Sequence, residues 1–145
     1  MSAVGGGIDL GEIAVELRLA CMRISRRVRF ESAYDQLPPH QFSVLARLDC
    51  GESTPGELAA VEKVSAPSMT RTVAALVEAG LVERLGSAQD RRQVVVRLTP
   101  AGRDLLGHVR ARRDLWMATR LADLSAEELA ALETAIPILA RVAAR

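Results

Sequence analysis

Two short stretches of this 145-residue chain hold side chains suited to molecular recognition. One is Ser65-Ala66-Pro67-Ser68-Met69-Thr70-Arg71-Thr72. The other is Asp90-Arg91-Arg92, set directly in front of Gln93-Val94-Val95-Val96-Arg97-Leu98. Arginine is planar, permanently charged, and forks two N–H donors onto phosphate oxygens or the O6/N7 edge of guanine. Small residues such as Ser65, Ala66, Ser68 and Thr70 let a helix backbone approach the floor of a groove. Arg71 and Thr72 follow closely enough to reach a base edge or a phosphate. A carboxylate repels phosphate, so Asp90 is expected to work inside the protein, pairing with Arg92 or accepting backbone N–H bonds, and so aiming the arginine. The bland alternatives are a solvated, ordinarily capped helix face and a solvated Arg-rich turn. The elements that carry the two stretches must decide.

Other chemistry finds little support. No nucleophile–base spacing, Gly-rich phosphate loop or carboxylate dyad stands out, so no enzyme and no cofactor is expected. His40 and His108 lie far apart and form no metal pair. Cys21 and Cys50 give neither a metal spacing nor a disulfide framework; both read as buried, inert thiols. Arg23, Arg26, Arg27 and Arg29 read as a solvated helix face with Glu partners, or else as a contributor to an anion pocket or a phosphate contact. Trp116 reads as a packing residue.

Composition bounds the fold. Apolar residues make up 49% and aromatics only 3%, which favours Leu, Val and Ala packed between helices. The formal net charge is +1, so no global basic field exists, and Lys63 is the only lysine among 19 basic residues. Codon usage in a GC-rich genome explains that bias blandly; only the placement of the arginines discriminates. MSAVGGG, residues 1–7, reads as a disordered start without signal-peptide character. No apolar run approaches a membrane span, and a reducing cytoplasm is the expected location.

The apolar period predicts a helix over residues 8–34 with two apolar sides, one through Leu10, Ile13, Leu17, Cys21, Ile24 and Val28, the other through Val15, Leu19 and Met22. Such a helix needs two things to pack against, its own domain and a second subunit. Leu37-Pro38-Pro39 ends it. A second helix over 40–50 should bury Phe42, Leu45 and Leu48. Thr54-Pro55-Gly56-Glu57 starts a short third one with a capping box. Ser65 caps a fourth, with Met69, Val73, Leu76 and Val77 inward, Pro67, Arg71, Ala75 and Glu78 opposite, and Gly80 as its stop. Leu81–Leu85 and Gln93–Leu98 read as a hairpin, the second strand turning Val94, Val96 and Leu98 to one face. Thr99-Pro100 opens a helix carrying Leu105, Val109 and Trp116. Ser125-Ala126-Glu127-Glu128 caps a last helix burying Leu129, Leu132, Ile136 and Leu139, with a weak turn at Pro137.

That order is a winged helix-turn-helix. The expected fold is mainly α with a small two- to three-stranded antiparallel wing. Residues 37–99 form the expected DNA-binding region, with helices of residues 8–36 and 100–145 flanking it. Arg91 and Arg92 then fall at or near the tip of a ribbon, where a narrow minor groove attracts arginine.

The run from Asp90 to Gly102 resembles the wing signature of the MarR family of bacterial transcription regulators: Asp-x-Arg, a short apolar strand, then Leu-Thr-x-x-Gly. Met69-Thr70-Arg71-Thr72-Val73 through Leu76, then Glu78-Ala79-Gly80-Leu81-Val82-Glu83-Arg84, are similar to the family's recognition helix and first wing strand. The resemblance extends over nearly the whole chain. It implies a homodimer joined through the helical regions 8–36 and 100–145, bound to a roughly palindromic operator in double-stranded DNA and usually repressing nearby genes. It also implies release by a small phenolic or anionic effector. The expected DNA-binding set is Ser65, Ala66, Ser68, Thr70, Arg71, Thr72, Arg84, Arg91 and Arg92, with Asp90 included as the residue that aims the wing arginines. The competing reading is a winged-helix protein-interaction module. The stripe at Pro67, Arg71 and Ala75 lacks the aromatics and large apolars that a protein interface centre uses.

Overall fold

The computed structural model of the protein describes residues 8–31, 37–86, 89, 90 and 92–144. The expected disordered start at 1–7 and the wing residue Arg91 lie outside the described residues. Among the described residues six helices and two strands follow in the order α1 (Leu10–Glu31), α2 (Pro39–Leu48), α3 (Pro55–Glu62), α4 (Ala66–Glu78), β1 (Val82–Gly86), β2 (Val94–Leu98), α5 (Pro100–Leu121) and α6 (Ala126–Ala143). The chain divides into two compact units, Met1–Ser32 with Arg113–Arg145, and Ala33–Arg112.

Local chemistry sets most boundaries in the second unit. Thr54 and Glu57 make a complete capping box: the Glu57 N–H donates to Thr54 Oγ1 at 3.1 Å, and the Thr54 N–H donates to the Glu57 carboxylate at 2.9 Å. The Thr54 N–H first, and then the Ser53 hydroxyl, hold the Glu57 carboxyl below its ordinary value. Lys63 ends α3 in the left-handed region at φ 54°. Gly80 ends α4 at φ 74°, where any Cβ would be strained.

The core of this unit is one cluster: Val44, Leu45 and Leu48 from α2, Leu58 from α3, Met69, Val73 and Leu76 from α4, Val82, Val96 and Leu98 from the strands, and Leu106 from α5. β1 and β2 pair antiparallel, from Val82 opposite Leu98 to Gly86 opposite Val94. A third short segment joins through Ser53, which exchanges both backbone hydrogen bonds with Val96.

Some expectations shift. β1 starts one residue late because Leu81 is used elsewhere, its N–H bonded to Leu76 O and its carbonyl to the Thr99 N–H. Val94 is exposed: it shares a face with Val96 and Leu98 but lies beyond the reach of the core. On α5 the central core residue is Leu106, while Leu105 is only half-buried. On α4, Ala75 is half-buried and Ala74 completes the exposed stripe.

The first unit contrasts with this. α1 and α6 bury no residue completely. Leu10 is 78% exposed, Ile13 48% and Ile24 47%. On α6, where burial was expected, Leu129 and Leu132 are each 39% exposed and Ile136 62%. Cys21, expected to be buried on the apolar stripe of α1, is exposed, as is Cys50. Among the described residues these faces are left largely uncovered. α6 runs unbroken through Pro137.

Candidate nucleic-acid interface

Ser65 caps α4: its Oγ accepts the Ser68 N–H at 3.2 Å. Pro67, at the second helical position, has no N–H to give. Of the first three helix amides, only that of Ala66 is therefore uncommitted, so an anion would find one donor there rather than a cradle. Pro67, Thr70, Arg71 and Ala74 form the exposed stripe, with Ser68 and Thr72 half-buried beside it. Their hydroxyls are not idle. Thr70 Oγ1 donates to the Ala66 carbonyl at 2.9 Å, and Thr72 Oγ1 to the Ser68 carbonyl at 3.1 Å. Arg71 Nη2 donates to Ser68 Oγ at 3.3 Å. A cleft of about 370 Å³ lies alongside, between α2, α3 and α4; its walls include His40, Gln41, Glu62, Ser68 and Arg71.

On the wing, Asp90 Oδ1 accepts the backbone N–H of Arg92 at 2.9 Å, and the Asp90 carbonyl accepts the Gln93 N–H at 3.0 Å. Asp90 thus organises the turn behind the arginine, one of the two internal roles expected of it. Arg84 on β1 and Arg92 are both exposed.

Ion pairing separates the arginines into two groups. Arg47 binds Glu62 at 2.9 Å, Arg97 binds Glu83 at 2.5 Å, and Arg110 binds Asp49 at 2.6 Å. In each the charge is matched within the protein. Partial burial pushes the Glu62 carboxyl up, but hydrogen bonds from Arg47 and Ser43, with the Arg47 charge, outweigh it and hold the group below its ordinary value. Arg71, Arg84 and Arg92, like Arg103 and Arg112 on α5, pair with no carboxylate among the described residues. Three of these guanidiniums sit on the exposed stripe of α4 (Arg71), on β1 (Arg84) and in the turn before β2 (Arg92), the places where sequence reading put phosphate and base contacts.

Sequence reasoning missed the hydroxyl chain from Ser65 through Ser68 to Arg71. Its signal was present in the i, i+3, i+6 spacing, which stacks three side chains along one helix edge. It also missed how Thr99 ties the wing to α5. The Thr99 hydroxyl donates to the Gly80 carbonyl at 2.6 Å and accepts the Gly102 N–H at 3.1 Å.

A capped helix behind a short helix and tight turn, followed by a two-stranded wing, defines a winged-helix DNA-binding protein. A family model for the MarR family matches residues 35–93. An HTH-type transcriptional regulator of Mycobacterium bovis is 39% identical over 128 residues, covering 88% of this chain and 90% of that protein. The multiple antibiotic resistance protein MarR of Salmonella typhimurium is 38% identical over 96 residues, 64% of this chain and 66% of its own. The crystal structure of wild-type MarR from E. coli, in its apo form, superposes with a TM-score of 0.73 at 27% identity, covering 92% of this chain and 97% of that one. The chain belongs to the MarR family of transcriptional regulators.

Proposed function

We propose that this regulator works as a homodimeric repressor on a pseudo-palindromic operator. α4 enters the major groove, with Ser65, Ala66, Ser68, Thr70, Arg71 and Thr72 on or beside the groove-facing edge. Arg84, Arg91 and Arg92 approach the backbone and minor groove, with Asp90 as the aiming residue. Residues 37–99 form the DNA-reading region, and the helices of 8–36 and 100–145 join two copies. Two lobes about 34 Å apart would each read one half-site. The protein acts in the cytoplasm, and a small phenolic or anionic molecule releases it by binding the DNA-free conformation more tightly.

The observation that carries this reading is the placement of the unpaired arginines: within residues 37–99, Arg47 and Arg97 are matched by carboxylates, while Arg71, Arg84 and Arg92 pair with none among the described residues. The exposed apolar faces of α1 and α6 support the dimer, because such faces are unfavourable in water and favourable against a copy of themselves.

Selection of bound duplexes from random DNA at a stated salt concentration tests it. An inverted repeat is the expected result. Enrichment of nothing over bulk polyanion would refute sequence-specific binding and favour a protein-interaction module.

A further inference from the structure

The outward arginine of α4 is not left to its own rotamers. Ser65 Oγ, fixed as the helix cap by the Ser68 N–H, donates to Ser68 Oγ at 3.1 Å. Ser68 Oγ also accepts from Arg71 Nη2 at 3.3 Å. We propose that Ser68 is a positioning residue for base reading: the Ser65–Ser68–Arg71 chain presents the Arg71 guanidinium to the O6/N7 edge of a guanine instead of to the neighbouring phosphates. This deepens the reading of α4 as the major-groove helix and rests on it.

Three physical arguments carry the proposal. An unrestrained arginine reaches phosphate as readily as base, and a phosphate contact holds no sequence information. A hydrogen bond that restricts the side chain beforehand lowers the ordering cost of a defined contact on binding. Second, the bond uses one N–H of a guanidinium that has five, so a fork remains for a bidentate contact. No carboxylate competes for it among the described residues. Third, the Arg71 fork that Ser68 holds carries donors only, which match guanine O6 and N7 and mismatch the amino groups of adenine and cytosine. Thr70 and Thr72 are the complement. Their only hydroxyl protons go to backbone carbonyls, so outward they can only accept.

The test compares wild type, Ser68→Ala and Ser68→Thr in selections from one random-sequence duplex pool at one salt concentration. Ser68→Ala spares the cap, because the Ser65 side chain and the residue-68 amide both remain; Ser68→Thr keeps the hydroxyl. Wild type and Ser68→Thr should enrich a guanine at one position of each half-site. Ser68→Ala should lose about tenfold of that preference while keeping the preferences at the other positions. Replacing that guanine by 7-deazaguanine, which removes N7, should weaken wild type several-fold more than Ser68→Ala. Equal guanine preference in wild type and Ser68→Ala overturns the positioning role and leaves the DNA-binding reading intact. A Ser68→Thr protein that behaves as Ser68→Ala overturns it too, since the hydroxyl is then not the agent. If wild type enriches no motif, sequence-specific reading and positioning role fall together.

Discussion

Replacing Gly102 by Ala should destabilise the protein although Ala is the better helix former. Gly102 lies buried in the first turn of α5, and a Cβ there would stand 2.1 Å from the Leu81 carbonyl oxygen and 3.3 Å from Leu98 Cδ2. Cβ contacts under 3.0 Å essentially do not occur, so the start of α5 would have to retreat by about 0.9 Å from the wing. That retreat stretches two hydrogen bonds at the same junction: the Thr99 N–H to Leu81 O at 3.1 Å, and the Thr99 hydroxyl to Gly80 O at 2.6 Å. Losing each costs about 1 kcal/mol net. Strain in a packed site adds about 1–3 kcal/mol, and the helix preference of Ala over Gly returns at most about 1 kcal/mol. The balance is a loss of about 2–4 kcal/mol, or a fall in Tm of roughly 5–15 °C for a chain of this size.

The assay is thermal unfolding followed by circular dichroism at fixed protein concentration, since a dimer's Tm depends on it. Gly107→Ala is the control. It lies on the same helix, exposed, with no atom within 4 Å of an added Cβ. It should raise stability by about 0.5–1 kcal/mol. A Gly102→Ala protein that melts at or above the wild-type temperature would refute the steric argument. So would equal shifts of the same sign in both variants.

Arg92→Ala should weaken operator binding and reduce the dependence of log K on log salt by about one unit, with the fold unchanged, because one phosphate-neutralising charge is lost; fluorescence anisotropy across a salt series measures both. Glu62 has a depressed folded pKa, so its contribution to stability is present above the unfolded carboxylate value of roughly 4.3 and is lost as pH falls through the folded value. Urea unfolding should therefore find wild type more stable than Glu62→Gln at neutral pH, the gap closing as the pH drops below about 4.5; a gap that widens in acid would contradict the Arg47 and Ser43 partnership. If two copies join through α6 as proposed, Ile136→Glu, at a position 62% exposed in one chain, should weaken dimerisation about a hundredfold or more by placing a charge in that apolar face. Sedimentation equilibrium reads it, and an unchanged dimer would move the interface away from α6.

What the sequence disclosed, and what it withheld, divides along physical lines. Helix starts at Thr54, Ser65 and Ser125 were legible because a cap is a local device: a hydroxyl, an amide three residues on, and in two cases a Glu returning the bond. The hairpin was legible for the same reason, alternation bounded by glycine. Gly102 was legible as part of a motif but not as a cause; its need for bare backbone follows from the Leu81 carbonyl, distant in sequence and brought close only by folding. On α6 the apolar period gave the helix and its apolar face correctly. It could not say what covers that face, since periodicity records which side avoids water and not whether one chain suffices. The recognition helix is the subtler case. Its Ser and Thr residues read from composition as an outward, contact-making set. In the folded chain Thr70 and Thr72 have turned their protons onto the helix backbone, and the Ser68 hydroxyl is bonded to its neighbours. Hydroxyl identity along a helix therefore does not state what a groove would meet. The direction of each O–H does, and rotamers and internal partners set that direction, so two helices of the same composition can offer DNA opposite patterns of donors and acceptors.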